Sequence, residues 1–225
     1  MINKVCAAAV LLLIFNFLYA QQKQQTIITG DEMLIRKIEG ITVVKGNGQV
    51  LRGSQTIKAD TITYSENQNN IDASGKVSFF DRYDDGSLIK AFSENASYNT
   101  ENSSGKLWGG NPVIEYNLKK STDVVYLYAD TFYLDKGFDS ARAEANVKII
   151  SSSGTITSDN AKLDKKTNTL FMQKDKNRPK ITAYQQDKYA EFESDELYLF
   201  YDTKTVKMDK DVKGKFIMKD SQGKQ

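Results

Sequence analysis

Five carboxylates hold one place in a recurring six-residue phrase: Asp60, Glu94, Asp130, Asp159 and Asp195, each preceded by Ala or Ser and followed at alternate positions by two apolar residues. An array of acids can ligate a hard cation or share general acid and base work. The adjacent pairs Asp84-Asp85 and Asp195-Glu196 suggest a glycosidase, which needs two carboxyls flanking one bond. Trp108, beside Leu107 and Gly109-Gly110, has a ring that could stack on a sugar or plug one end of a core. Other chemistries lack their residues: there is no His, the single Cys is Cys6, and neither a Gly-x-Ser-x-Gly elbow nor a Walker loop occurs. An acid at the same point of every copy serves every copy alike, so it reads as architecture. No catalytic residue, metal ligand or cofactor is therefore assigned, and the chain is not read as an enzyme.

The elements that position these acids follow from the phrase itself. Small-acid-x-apolar-x-apolar occurs at Ala59 to Tyr64, Ser93 to Tyr98, Ala129 to Leu134, Ser158 to Leu163 and Ser194 to Leu199, with steps of 34, 36, 29 and 36 residues between acids. A period of this size marks an architecture built by stacking one supersecondary unit. Within each copy the alternation has a period of two, that of a strand with one face buried. A second alternating run follows most copies, as in Ile71, Ala73, Val77 and Phe79, after a polar turn such as Glu66 to Asn70. The unit is at least a pair of strands. With Pro only at 112 and 179, and with many Tyr, Thr, Ile, Val and Phe, the chain is expected to be all-β.

The first residues read as an export signal: Lys4, an apolar run from Val5 to Phe15, then Asn16 to Ala20 before Gln21-Gln22. We expect a signal peptide over 1–20, a polar linker over 21–25, one β-domain over 26–218 and a disordered basic tail over 219–225. The run of 16 residues from Val5 to Ala20 is short for a membrane span, which needs about 20. Retention of the segment as a membrane anchor is the alternative to a free exported chain. With 31 basic against 29 acidic residues, nothing points to nucleic acid.

Along the domain, Thr26 to Lys37 reads as a strand broken at Gly30, and Ile41 to Gly53 as two strands about a Gly46-Asn47-Gly48 turn. Asp81 to Ser87 reads as a hairpin loop. The inward face comprises Ile57, Ile62, Tyr64, Val77, Phe79, Tyr98, Phe132, Leu134, Val147, Ile149, Leu163, Leu170, Leu197 and Leu199. Two facing sheets could fill this interior with their own side chains, or stay apart and leave a groove for an elongated apolar ligand.

Gly53 to Tyr64, followed by Asn70-Ile-Asp-Ala-Ser-Gly-Lys-Val77, resembles the rungs of the OstA-like lipopolysaccharide-transport family, that of the periplasmic bridge protein LptA and its relatives LptC and the periplasmic domain of LptD. The resemblance runs from about Thr26 to Met208. It implies a twisted, open, V-shaped β-jelly roll of stacked antiparallel strands whose apolar groove, lined by the inward residues above, holds acyl chains. It further implies a lipid-binding role in outer membrane biogenesis at the cell envelope: carriage of lipopolysaccharide or lipo-oligosaccharide from the inner to the outer membrane, head-to-tail self-association, and partners at both membranes with OstA-like domains. Unpaired edges near Thr26 to Arg36 and Leu197 to Met208 would make the joints. The sequence departs from the family pattern at Phe92-Ser93-Glu94, at the small stretch Ala141 to Ala145 and around Trp108 to Pro112. A structural or adhesive envelope stack with a filled core remains as the alternative.

Overall fold

The computed structural model describes residues 25–82, 86, 88–117, 124–135, 140–164, 166–185, 188–200, 203 and 205–218. The expected signal and tail, all of the linker but Gln25, and the pair Asp84-Asp85 lie outside them. The described residues form antiparallel strands throughout. The strands are β1 (Thr26–Thr29), β2 (Glu32–Arg36), β3 (Ile41–Arg52), β4 (Gln55–Ser65), β5 (Asn70–Arg82), β6 (Leu88–Asn99), β7 (Ser104–Trp108), β8 (Val113–Asn117) and β9 (Val124–Tyr128). They continue as β10 (Thr131–Leu134), β11 (Ser140–Ser151), β12 (Gly154–Asp164), β13 (Thr169–Gln173), β14 (Lys180–Gln185), β15 (Lys188–Glu193), β16 (Glu196–Phe200), β17 (Thr205–Asp209) and β18 (Lys213–Met218).

The pairing resolves into twelve rungs, each bent once at its middle: β1 with β2, then β3, β4, β5, β6, β7 with β8, β9 with β10, β11, β12, β13 with β14, β15 with β16, and β17 with β18. One half of every rung joins a first sheet, running from β2 to β17. The other half joins a second sheet, running from β1 to β18. The two sheets share the line of bends as a common vertex. At about 4.8 Å between neighbouring strands the twelve rungs make a stack roughly 50 Å long.

The bends alternate between two kinds. Rungs three, five, seven, nine and eleven bend at the small-acid pairs read from the sequence, and the first rung bends at a sixth such pair, Gly30-Asp31. Of the six intervening rungs, the tenth bends over Lys174 to Pro179 without any positive φ. The other five bend through left-handed backbone: Gly46-Asn47 (φ 66° and 49°), Gly75-Lys76 (78° and 50°), Gly109 to Asn111 (76°, 68° and 55°), Ala145-Asn146 (61° and 54°) and Lys210-Asp211 (60° and 49°). These are bulges, where the ladder skips residues between Lys45 and Gly48, Ser74 and Val77, and Glu144 and Val147. The expected hairpin at Gly46 to Gly48 is therefore a bend inside one continuous strand. Asn-Gly signals turn and bulge alike, and only the pairing of β3 with β4 along its whole length separates them.

The acids bind the neighbouring bends. Asp31 N–H donates to the Gly46 carbonyl at 2.8 Å, and Asn47 Nδ2 donates to Asp31 Oδ2 at 2.9 Å. Asp130 repeats this with the Ala145 carbonyl at 3.0 Å and Asn146 Nδ2 at 2.9 Å. Glu94 N–H donates to the Gly109 carbonyl at 2.9 Å. Asp159 accepts from the Lys176 and Asn177 backbone at 2.8 and 2.6 Å and from Asn177 Nδ2 at 2.9 Å, capping the longer bend before Pro179. Those donors hold its carboxyl below the usual carboxylate range, the Asn177 backbone bond first. Arg178 completes the last bends by pairing with Asp195 at 2.8 Å and with Asp211. The residue before each acid is small because it points into the vertex: Ala59, Ser93, Ala129, Ser158 and Ser194 are all buried. The three serines each donate to the carbonyl two residues on, at 2.8, 2.9 and 2.6 Å. Both prolines, Pro112 and Pro179, are fully buried, next to Ala129 and Ser194. The recurring acids are thus consumed by architecture, as their repetition suggested.

Candidate functional site: the cleft between the sheets

Register fixes which side chains face the cleft. In the first sheet the column next to the vertex runs Met33, Val44, Ile62, Ala73, Ala96, Leu107, Phe132, Ala143 and Ala161, then Met172, Leu197 and Met208. From Val44 to Leu197 every member is buried. The next column outward includes Tyr64, Ile71, Tyr98, Leu134, Leu163, Leu170 and Leu199. Of these, Tyr64, Leu134, Leu163 and Leu199 are only half-buried. In the second sheet, Ile28, Val50, Ile57, Phe79, Ala91 and Ile114 lead on to Leu127, Ile149, Ile156, Ile181 and Phe192. Six of those, from Phe79 to Phe192, are half-buried.

The cross-section is therefore a wedge. Side chains fill it at the vertex, and apolar surface becomes accessible toward the mouth. All fourteen residues expected on the inward face lie on it, but they divide by depth. Val77 and Val147 are at the vertex, and Ile62, Phe132 and Leu197 are in the buried column beside it, at 0, 4 and 0 % exposure. Tyr64, Phe79, Leu134, Leu163 and Leu199 reach the accessible part. Sequence reasoning missed most of the second sheet, such as Ile114, Leu127, Ile156 and Ile181. The small-acid phrase reports the strand that follows it, and these residues lie on the half-rungs that precede a small-acid bend or follow a bend of the other kind. Their own alternation, as in Val113 to Asn117, is the signal that finds them.

Trp108 does not plug the interior. Leu107 faces the cleft, so Trp108 faces out, half-buried, with Lys106 Nζ 5.0 Å from its ring. The Gly109 to Pro112 stretch is the bend of the sixth rung, and pairing continues across it through β7 with β10 and β8 with β9. Ala141 and Ala143 lie on the inner face opposite Leu134 and Phe132, where they leave room for those larger side chains. The edges of the stack also differ from expectation at one end. They are the first rung and β17 with β18, so the far edge runs from Thr205 to Met218 instead of beginning at Leu197.

Little else among the described residues has the makings of a chemical site. No group of three or more His, Cys, Asp or Glu stands ready for a metal, and no helix is long and apolar enough to cross a membrane. Of the acid pairs, Glu196 is engaged by Lys210 at 2.6 Å and by the Tyr198 hydroxyl at 3.0 Å, and these bonds keep its carboxyl low. A carboxylate held ionised and tied in this way is no proton donor.

Comparison with known proteins bears on this geometry. Residues 20–125 match the model of the LptA/(LptD N-terminal domain) LPS transport protein family. Over those residues, somewhat under half of its length, the chain is similar to that family. The match spans the first six rungs and enters the seventh, and small-acid bends recur beyond it at Ser158-Asp159 and Ser194-Asp195. The description of the LptA/LptD amino-terminal family is one of transport, not of catalysis. No curated protein matches the chain. Among solved structures, one similar to it is LptH of Pseudomonas aeruginosa, described as the LptA homologous periplasmic component of the lipopolysaccharide transport device. It is 15 % identical over 73 % of this chain and 96 % of that one, with a TM-score of 0.36.

Proposed function

We propose that the chain is a periplasmic carrier that holds the acyl chains of lipopolysaccharide or lipo-oligosaccharide in the cleft between its sheets, and that copies join end to end into a bridge between the two membranes. The observation that carries this reading is the burial gradient: an inner face that is apolar and buried beside the vertex from rung to rung, with half-accessible apolar side chains toward the mouth at Tyr64, Phe79, Ile114, Leu134, Leu163 and Leu199. Each CH₂ withdrawn from water is worth about 0.8 kcal/mol, so an acyl chain of about a dozen carbons needs an unbroken apolar path. The wedge offers one along its length, and its sugars would remain outside the mouth.

The ends support the joining of copies. The first rung leaves Met33 and Ile35 at 47 and 58 % exposure, and the last leaves Val206 and Phe216 at 46 and 75 %, although all four continue inner columns. Among the described residues each end is also a strand edge with no further strand paired to it, a surface that can pair with another strand. The two edges differ in sequence, so their contact is head to tail and propagates without closing.

The test is in-cell photo-crosslinking, with the probe at the accessible positions Tyr64, Leu134 and Leu199 and at the outward positions Thr63 and Tyr198. Lipopolysaccharide adducts from the first three alone are expected. Folded, exported protein without such adducts would sink the carrier reading and favour an envelope stack with a filled core.

A further inference from the structure

In the two inner columns of each sheet, among the described residues, only two side chains are charged: Arg52 and Asp81, both on the mouth-side column of the second sheet. Asp81 is 7 % exposed and taken up by its own sheet, accepting from Ser54 Oγ at 2.7 Å and Gln55 Nε2 at 3.1 Å. Arg52 behaves differently. It lies two residues beyond the buried Val50 on the same face, and its Nη1 crosses to the other sheet to donate to the Thr100 carbonyl at 2.7 Å. Thr100 is held in turn by its N–H and hydroxyl on the Asn69 carbonyl, at 2.7 and 3.1 Å.

Among the described residues no carboxylate pairs with Arg52. One neutral carbonyl is a weak partner for a guanidinium, which carries five donors in a planar fork suited to carboxylate or phosphate. The position matters as much as the chemistry. At the rim of the wedge, an amphiphile whose tails lie along the inner face would have its polar head against this side chain.

We propose that Arg52 is an anion-binding residue at the mouth, which exchanges the Thr100 carbonyl for a phosphate on the head of the bound amphiphile. This rests on the carrier reading and narrows its substrate to an acylated lipid with a phosphate near the acyl linkage. The Asp81 carboxylate, fixed further along the same column, repels that phosphate and confines it to the Arg52 end. With no ligand bound, the contact between Arg52 and Thr100 ties the two sheets across the mouth.

The test uses the full chain with Arg52→Gln and Arg52→Lys, and two fluorescent probes: an acylated glucosamine disaccharide carrying its phosphates, and the same lipid after phosphatase treatment. Arg52→Gln should weaken the phosphorylated probe about tenfold to a hundredfold, with Arg52→Lys between, and leave the dephosphorylated probe unchanged, which also verifies the fold. Equal weakening of both probes, or of neither, overturns the assignment while leaving the carrier reading intact. If the unaltered chain binds neither probe, the carrier reading fails and the assignment with it. Inorganic phosphate is the third arm: binding as tight as that of the phosphorylated lipid would mark a free-anion site and refute a headgroup site.

Discussion

Leu197 and Leu199 lie two residues apart on the same inner face of β16, and their truncation reads the depth of the wedge directly. Leu197 has no exposure and sits in register between Met172, at 1 %, and Met208. Its replacement by Ala removes a fully buried side chain and leaves a cavity. Such changes cost 2–5 kcal/mol, and the flexible methionines beside it allow partial collapse, so about 3 kcal/mol is expected. For a chain of this size each kcal/mol lowers the melting temperature by about 2–4 °C, which gives a fall of about 6–12 °C. Leu199 lies toward the mouth and already meets solvent, so Leu199→Ala loses only part of the transfer free energy and opens no closed cavity. A cost of about 1 kcal/mol follows, or about 2–4 °C. Thermal unfolding followed by circular dichroism measures both. Equal losses at the two positions would mean that the mouth is packed as tightly as the vertex, and the accessible path for acyl chains would have no physical basis.

Further outcomes follow from the bends, the charges and the edges. Gly75 has φ 78°, and a Cβ there would lie 2.7 Å from Asp60 Oδ2, so Gly75→Ala should destabilise by at least about 1–2 kcal/mol, whereas Lys76→Gly, which relieves a left-handed φ of 50°, should stabilise slightly in the same urea titration. The Tyr189 hydroxyl first, then Lys180 at 2.9 Å and Lys215 at 3.1 Å, lower the Glu191 carboxyl from 4.5 to about 2. Because that value is depressed in the folded chain, its contribution is complete above pH 4.5 and is lost as pH falls toward 2; melting curves of Glu191→Gln should lie below those of the unaltered chain at pH 7 and converge on them across that window. Val206→Asp places a charge on an exposed apolar edge, at 46 % exposure, and should weaken end-to-end association at least tenfold in sedimentation velocity without lowering the melting temperature.

How far the sequence foretells this structure depends on what each residue does. Ile62 and Tyr64 announce their strand and its face because a pleated strand turns alternate side chains the same way, and one sheet face is enough to impose that order. The small-acid pairs announce the bends because Ala59 and Ser194 must fit a vertex and Asp130 must reach the next rung. Gly46 and Gly75 reveal left-handed backbone through their type, while Ala145 and Lys210 adopt it without any such mark, at a cost that only the neighbouring rungs explain. Depth is the least legible property. Leu197 and Leu199 are the same residue in the same alternation, and what separates them is the angle at which two distant halves of the chain converge. Arg52 was equally hidden, since one arginine at the end of a strand acquires a role only when Thr100, 48 positions later, comes to face it.

The alternation of bends sets a rule for the length of the molecule. An acid needs a bend of the other kind beside it, left-handed in most rungs and the longer one before Pro179 for Asp159, so the unit that can be gained or lost is a pair of rungs, about 9.6 Å of stack, and never one. Removing a single rung would bring two acidic bends together and leave both without their donors. Removing two restores the sequence of contacts, as the removal of one whole module does in any linear array of nearest-neighbour interactions. Chains of different length built on this plan should therefore differ by even numbers of rungs, and shortened variants lacking Gly30 to Lys58 or Ser158 to Glu193 should fold where variants lacking half as much do not.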